Sequence, residues 1–279
     1  MAFQMKNNPD PKQTVTDLYN RVASFYGGVG PNFFKHCGRR TVELAGVFLG
    51  ARVLDVACGR GASLFPAADA CGEQGWTVGV DLAWGMLRET KKESQQKGRE
   101  RVQLMQMDGD ALGFPTNAFD FVLCGFAIFF FRQPDLTLKE WKRILMPNGR
   151  LVVCVVGRSD EHWNWFNELL VAYHQQYGFQ IAPMSGGKEL NKPPEIQLAM
   201  LAAGFRESTI LTEDYQLIYS DEQEWWDSKW THGSRFALEN MPSEILEQFR
   251  AEALSHLPPL KQPDGFHEHW QVAWTVGIK

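Results

Sequence analysis

Three aspartates and two glycines have the types and spacing from which chemistry can be argued. Asp55 stands inside Val53-Leu54-Asp55-Val56-Ala57-Cys58-Gly59-Arg60-Gly61, an apolar run that ends in a glycine-rich turn. Such glycines let the backbone approach a ligand closely, and a helix opening just after them presents unpaired N–H groups. A diphosphate beside Asp55 would meet a like charge, whereas a ligand bearing a cationic amine would meet its opposite. The dinucleotide fingerprint G-x-G-x-x-G also fails, because Leu64 occupies the third glycine position. Asp81 follows the glycines by about 20 residues, the place from which an acid at the tip of a second strand accepts both ribose hydroxyls. Asp108 follows a third apolar run. Three acids thus end, or nearly end, three successive strands, and in a parallel sheet those ends share one edge.

That edge requires a parallel sheet behind it. Apolar and β-branched runs predict strands over 52–56, 75–80, 102–107, 119–125 and 151–156. Helices are expected over 62–68, 87–99 and 134–145, with two more, 14–26 and 33–49, ahead of the first strand. Beyond Gly157 the character changes. An aromatic amphipathic helix over 161–177 leads to a stretch rich in Pro and Gly, 178–194, that would cover the site. A short helix over 195–203, strand material at 209–211 and 215–219, a helix over 225–235 and a last strand over 269–278 follow. Residues 1–12 are polar and expected to be loose.

Composition narrows the function. The net charge is −5 and the pI near 5.8, which argues against nucleic acid as substrate and for a small molecule. No apolar run approaches the roughly 18 residues of a membrane span, and the first residues lack a signal-peptide core, so a cytoplasmic protein is expected. The five cysteines form no C-x-x-C pair and support neither a disulfide framework nor a metal site. At 279 residues, one core with helical additions is the default, as monomer or homodimer.

The D-x-A-C-G-x-G stretch resembles the first motif of class I S-adenosylmethionine-dependent methyltransferases, with Ala57 where many members carry Gly. Asp108-Gly109-Asp110 through Phe119-Asp120 resembles that family's G-D-A-x-x-L-P-F-x-x-x-x-F-D signature. Tyr19, Ala23 and Tyr26 resemble the N-terminal lid of small-molecule members, especially the quinone-biosynthesis type, and 225–235 resembles their W-W-x-x-x-W-x-H-G-x-R stretch. The resemblance implies an α/β, Rossmann-like, seven-stranded and mostly parallel sheet of order 3-2-1-4-5-7-6. An N-terminal helical lid (1–45) would precede the cofactor-binding core (46–160), and cap helices and C-terminal strands (161–279) would complete the domain. It also implies that Asp108 accepts from the adenine amine, that the Gly109 N–H lies near a ring nitrogen and that Met86 packs on the adenine face. Tyr26, Asp55, Ala57, Gly59, Gly61, Asp81, Leu82 and Cys124 complete the expected cofactor contacts.

S-adenosylmethionine carries an activated methyl group, so the protein chiefly aligns the acceptor and excludes water, and such alignment supplies about 7–11 kcal/mol. An aromatic, poorly hydrated cup suits a reaction in which charge disperses. Phe126, Phe129, Phe130, Trp163, Trp226 and Trp230 are the candidates for its wall. The loop after the fourth strand carries phenylalanines where many relatives carry histidine, so a base, where the acceptor needs one, is expected at His232 first and Tyr26 second. Two other readings are a non-catalytic binder of the same cofactor and a nicotinamide oxidoreductase, the latter disfavoured by Leu64 and Asp55.

Overall fold

Alternate residues of β1 (Arg52–Val56) leave the sheet on opposite sides, and each side is fully buried. Val53 joins Phe121, Leu123 and Val152 in one core, while Leu54 joins Val122 and Val153 in the other. A strand buried on both faces is the signature of a parallel sheet between helical layers. The computed structural model describes residues 10–99, 101–180 and 190–279. The loose start expected for 1–12 therefore falls, over residues 1–9, outside the described residues, as does 181–189 of the expected cover.

The strands are β1, β2 (Trp76–Asp81), β3 (Gln103–Gln106), β4 (Phe119–Gly125), β5 (Leu145–Arg158), β6 (Glu207–Tyr219), β7 (Lys261–Gln262) and β8 (Gly265–Ile278). They lie in the order β3-β2-β1-β4-β5-β8-β6, with β7 paired to β8 alone. β1 to β5 run parallel, and β8 is antiparallel to β5 and β6. The expected order thus holds once β7 is set aside. The eighth strand arises because the chain turns at Pro263 and Asp264, so that Lys261–Gln262 pairs back on the start of β8. The two expected segments of β6 are one continuous strand, held along its whole length by β8.

Helices α1 (Pro11–Val22), α2 (Phe33–Ala45), α3 (Leu64–Cys71), α4 (Trp84–Gln96), α5 (Pro134–Ile144), α6 (Trp165–Tyr177), α7 (Pro193–Ala202), α8 (Glu222–Ser228), α9 (Arg235–Glu239) and α10 (Ser243–Ser255) surround the sheet. α1 begins earlier than its apolar spacing indicated, because the Asp10 carboxylate accepts the Lys12 N–H and Pro11 fits the first turn. It stops at Val22, leaving Tyr26 in the turn before Gly27 (φ 63°). α2 stops at Ala45, where Gly46 adopts the left-handed conformation (φ 71°).

The helix expected over 225–235 is broken. The Ser228 hydroxyl donates to the Trp225 carbonyl (2.7 Å) and the Thr231 hydroxyl to the Ser228 carbonyl (2.8 Å). Such side-chain bonds compete with helical pairing, so α8 ends at Ser228 and tight turns lead to α9. α10, to which no element was assigned from sequence, buries Phe249 completely against Phe166 and Tyr173 of α6.

One close approach positions the glycine turn. A Cβ built on Gly38, in the middle of α2, would sit 2.2 Å from the carbonyl oxygen of Ala62, just ahead of α3. Gly-to-Ala inside a helix ordinarily gains about 1 kcal/mol. Here Gly38→Ala is expected to lose roughly 1–3 kcal/mol by overpacking, measured as a fall in thermal midpoint.

Candidate active site

β1 and β4 are neighbours in the sheet, yet their connections leave in opposite directions, β1 towards β2 and β4 towards β5. Such a reversal opens a crevice at the carboxyl ends of the two strands. Each lip of the crevice carries a residue in a backbone conformation that side chains rarely adopt. Ala57, one residue past β1, has φ 54°, and Phe126, one residue past β4, also has φ 54°. The Phe126 N–H is held by the Cys154 carbonyl (2.8 Å).

The glycine turn is tied down from several sides. The Cys58 N–H donates to the Val80 carbonyl (3.0 Å), the Gly59 N–H to the Asp81 carboxylate (2.9 Å) and the Thr90 hydroxyl of α4 to the Gly59 carbonyl (2.8 Å). Asp81 also accepts the Ala83 N–H at the start of α4 (2.8 Å). Its carboxylate is thereby fixed in orientation while keeping acceptor capacity. The turn after β3 is held from α5: the Trp141 indole donates to the Gly109 carbonyl (2.9 Å), and the Thr137 hydroxyl donates to Asp110.

Three cavities meet in the crevice. The first, beneath α1, is bordered by Ala57, Gly59, Asp81, Leu82, Met86, Asp108 and Gly109 among others. The second lies against the glycine turn and reaches Asp55, Cys58, Arg60 and Ser63. The third, aromatic cavity lies between α2, β5, β6 and β8, with Phe129, Tyr219, Thr231, His232 and Trp270 on its wall. The structure thus brings together the acids of three strand ends. Tyr26 and Phe126 border all three cavities, and Phe130 borders the first.

Several expected site residues lie elsewhere. Cys124 is fully buried in the core between Leu54 and Val153, and Gly125 and Phe126 border the crevice in its place. Gly61 borders none of these three cavities; it lies under the Phe65 ring, where a Cβ would come within 2.8 Å. Trp163, Trp226 and Trp230 do not line the cavities either. Trp163 donates to the His267 carbonyl (3.0 Å) and packs on Trp225, while Trp226 packs on Phe249 and Trp230. Their indoles are needed to fill the space between α6, α8 and α10. Trp270 faces the third cavity instead, a residue that the alternation of β8 would have indicated. Lys12 and Arg132 were also missed. Lys12 of α1 binds Asp108 (2.7 Å) and Asp110 (2.7 Å), and Arg132 binds Asp10, pinning α1 across the first cavity. Partners about a hundred residues apart leave no local signal.

Burial sets the protonation states. Desolvation, reinforced by Asp81, raises the Asp55 carboxyl to about 8, against one backbone bond from Leu64 that favours its ionised form. Desolvation raises Asp81 as well. Tyr26 is held well above its ordinary range by burial and by Tyr19 and Asp81, so its phenol keeps its proton. His232 is lowered to about 3 by burial and by the cation of Lys229, so its imidazole is neutral at any ordinary pH. Neither expected base has the poise of a strong one. Among the described residues no group of three His, Cys, Asp or Glu side chains could hold a metal, and no helix is long and apolar enough to cross a membrane.

Known proteins resemble this chain in fold and in sequence. The YcgJ protein of Bacillus subtilis superimposes with a TM-score of 0.61 over 88% of this chain and 98% of its own, at 18% identity, which is a likeness of fold. Nocamycin O-methyltransferase of Saccharothrix syringae is 31% identical over 274 residues, 93% of this chain and 96% of its own. Aklanonic acid methyltransferase DauC of Streptomyces sp. (strain C5) is 39% identical over 140 residues, which are 50% of this chain and 64% of that protein. Fold and relatives together define a class I methyltransferase that uses S-adenosylmethionine. The chain belongs to the ubiE/COQ5 methyltransferase family, whose model matches residues 7–193.

Two outcomes follow from the lips and the buried acid. Ala57→Gly removes a strained backbone at about the entropic cost of a glycine, and a gain of up to about 1 kcal/mol in thermal or denaturant unfolding is expected. Asp55 has a folded pKa above its unfolded value of 3.8, so its contribution to stability is present below pH 4 and lost as pH rises through about 8. The ligand-free protein should therefore lose stability between pH 4 and 8. Asp55→Asn should flatten that slope and unfold later than the unmodified chain at pH 8.

Proposed function

We propose that this chain transfers the methyl group to a small, largely apolar, ring-bearing acceptor held in the third cavity. The observation that carries the reading is the convergence of three cavities on Tyr26 and Phe126. One elongated ligand fits across the first and second cavities, leaving its middle open to the third.

The residues present suit S-adenosylmethionine. Asp81 is oriented by two N–H donors and has lone pairs left for ribose hydroxyls. Asp108 and Gly109 border the adenine end, and Met86 forms part of the same wall. Asp55 forms no ion pair among the described residues, and an ammonium in the second cavity would favour its ionised form. The cofactor supplies an electrophilic methyl carbon when bound. The chain aligns the acceptor with that carbon, excludes water through its aromatic walls and holds the acceptor's polar end by a hydrogen bond from His232.

At ≈ 360 Å³ the third cavity lies within the range of small-molecule pockets, and its aromatic wall suits a flat ring system. A neutral His232 of such low basicity orients rather than deprotonates. The acceptor atom is then one that ionises readily by itself, an oxygen acid or an acidic carbon. The relatives' names support both kinds of acceptor: an O-methyltransferase, a methyltransferase of an acid and the C-methyltransferase of Teredinibacter turnerae, 31% identical over 194 residues.

The test is incubation with methyl-labelled S-adenosylmethionine and a panel of polycyclic phenols, acids and quinols, with mass-spectrometric detection of the labelled product. Retention of label on the cofactor throughout would sink the reading. With an accepted substrate, His232→Ala should lower kcat at least tenfold with cofactor affinity unchanged, and His232→Gln should recover part of it. The kcat profile of the unmodified enzyme should show no limb from His232 between pH 5 and 8, because its pKa lies near 3.

A further inference from the structure

Two rings on the wall of the third cavity share a buried acid. Glu268 is only 6% exposed and stands on β8 two residues before Trp270, on the same face of the strand. Its Oε1 accepts the Trp270 indole N–H at 2.7 Å, and its Oε2 accepts the Tyr219 hydroxyl of β6 at 3.4 Å. Tyr219 reaches it diagonally across the ladder, since Tyr219 pairs with Phe266 and Leu217 with Glu268. Burial and the charge of Glu268 push the Tyr219 phenol up, so it keeps the proton that it donates. Lys229, also buried, holds its ammonium 4.8 Å from the Trp225 ring centroid and 5.3 Å from that of Tyr219. Burial pulls the Lys229 amine down, and Glu268 opposes the shift by favouring the charged form. The acid thus has a hydrogen bond at each oxygen and a cation within its field, as a carboxylate withdrawn from water requires.

Both hydrogen-bonding partners of Glu268 border the third cavity, while the acid itself does not. An indole held by packing alone turns about its last torsion, which is broad for an aromatic ring. The bond to Glu268 removes that freedom, and Phe33 meets the same indole edge-on with centroids 4.9 Å apart. The Tyr219 ring is confined as well, because the segment between α1 and α2 runs so close that a Cβ on Gly30 would lie 3.3 Å from it.

We propose that Glu268 is a positioning residue for the acceptor: by fixing the Trp270 indole and the Tyr219 ring, it keeps the third cavity a slot that takes flat aromatic guests and turns away puckered ones. The inference rests on the assignment of that cavity to the acceptor and deepens it to a choice between acceptor shapes. A flat guest lays its face against rings that need not move. A saturated ring is thicker and enters only where the wall yields. Glu268 borders neither the first nor the second cavity, so the donor's expected contacts at Asp55, Asp81 and Asp108 do not pass through it.

Two substitutions separate this role from a merely structural one. Glu268→Gln keeps an oxygen to accept the Trp270 N–H and an amide group to face the Tyr219 oxygen, whereas Glu268→Leu keeps bulk and offers neither. The full chain, saturated with S-adenosylhomocysteine, is titrated calorimetrically with β-naphthol and with its tetrahydro derivative, saturated in the ring that bears no hydroxyl. The unmodified chain should bind the flat phenol roughly fivefold more tightly than the puckered one. In Glu268→Leu that preference should shrink by roughly threefold, and in Glu268→Gln it should be retained, with affinity for S-adenosylhomocysteine in both variants within about twofold of the original. No preference in the unmodified chain, an unchanged preference in Glu268→Leu, an equal loss in both variants, or a parallel loss of S-adenosylhomocysteine binding would overturn the positioning role and leave the acceptor assignment standing. Failure of both phenols to bind an unmodified chain that takes up S-adenosylhomocysteine would overturn the assignment of the cavity, and this inference with it. Should Glu268→Leu fail to fold, Trp270→Phe decides, since it removes the indole N–H and keeps a ring; a preference equal to that of the unmodified chain would refute the proposal.

Discussion

The reversal of chain direction between β1 and β4 is the constraint on which the rest of the structure depends. Neighbouring parallel strands whose connections depart to opposite sides cannot be covered by the same helix, so the sheet has an opening there. The three cavities are grouped around it. The turn after β1 forms one lip, the turn after β4 the other, and both are finished by a residue in a left-handed backbone conformation, Ala57 and Phe126. A strand that simply ran on into its helix would close the gap. The strained residues bend the chain back sharply enough to leave it open, and burial of β1 and β4 on both faces resists the strain.

The opening also places two carboxyls, Asp55 and Asp81, in surroundings that favour their neutral forms. Burial raises both Asp55 and Asp81, and Asp81 raises Asp55 further, so an ionised Asp55 carries a cost that a cationic ligand would offset. The protein makes no lysine or arginine partner for Asp55 among the described residues, although it spends Lys12 on Asp108 and Asp110 a short distance away. The two acid pairs are thus treated differently. One has no ion pair among the described residues, and the other fastens α1 over the first cavity.

Much of this was legible in the sequence because it is written locally. β1 and β4 begin and end where their apolar runs do, and the three acids can be placed on one edge from strand ends alone. Features settled by distant partners were not legible. The indoles of Trp163 and Trp226 looked like pocket walls but both pack on Trp225. Ser228 and Thr231 break a helix whose spacing looked continuous, since a hydroxyl bonding to a carbonyl three residues back is a matter of rotamer rather than pattern. The role of Lys12 depends on a contact 96 residues away. Cys124 was misplaced by one position, because side chains alternate along a strand and the crevice takes Gly125 and Phe126 instead.

The wall of the third cavity has one more consequence. Leu217, Tyr219, Ser228, Thr231, His232 and Trp270 all come from beyond residue 193, where the match to the family model ends, whereas the acids and the glycine turn all lie within it. The rest of that wall, with Phe33, Phe34, Phe126, Phe129, Val155 and Val156, comes from inside the matched stretch, so the cavity is closed jointly by both parts of the chain. Substitutions after residue 193 can therefore reshape one part of that wall while the strand-end acids keep their places.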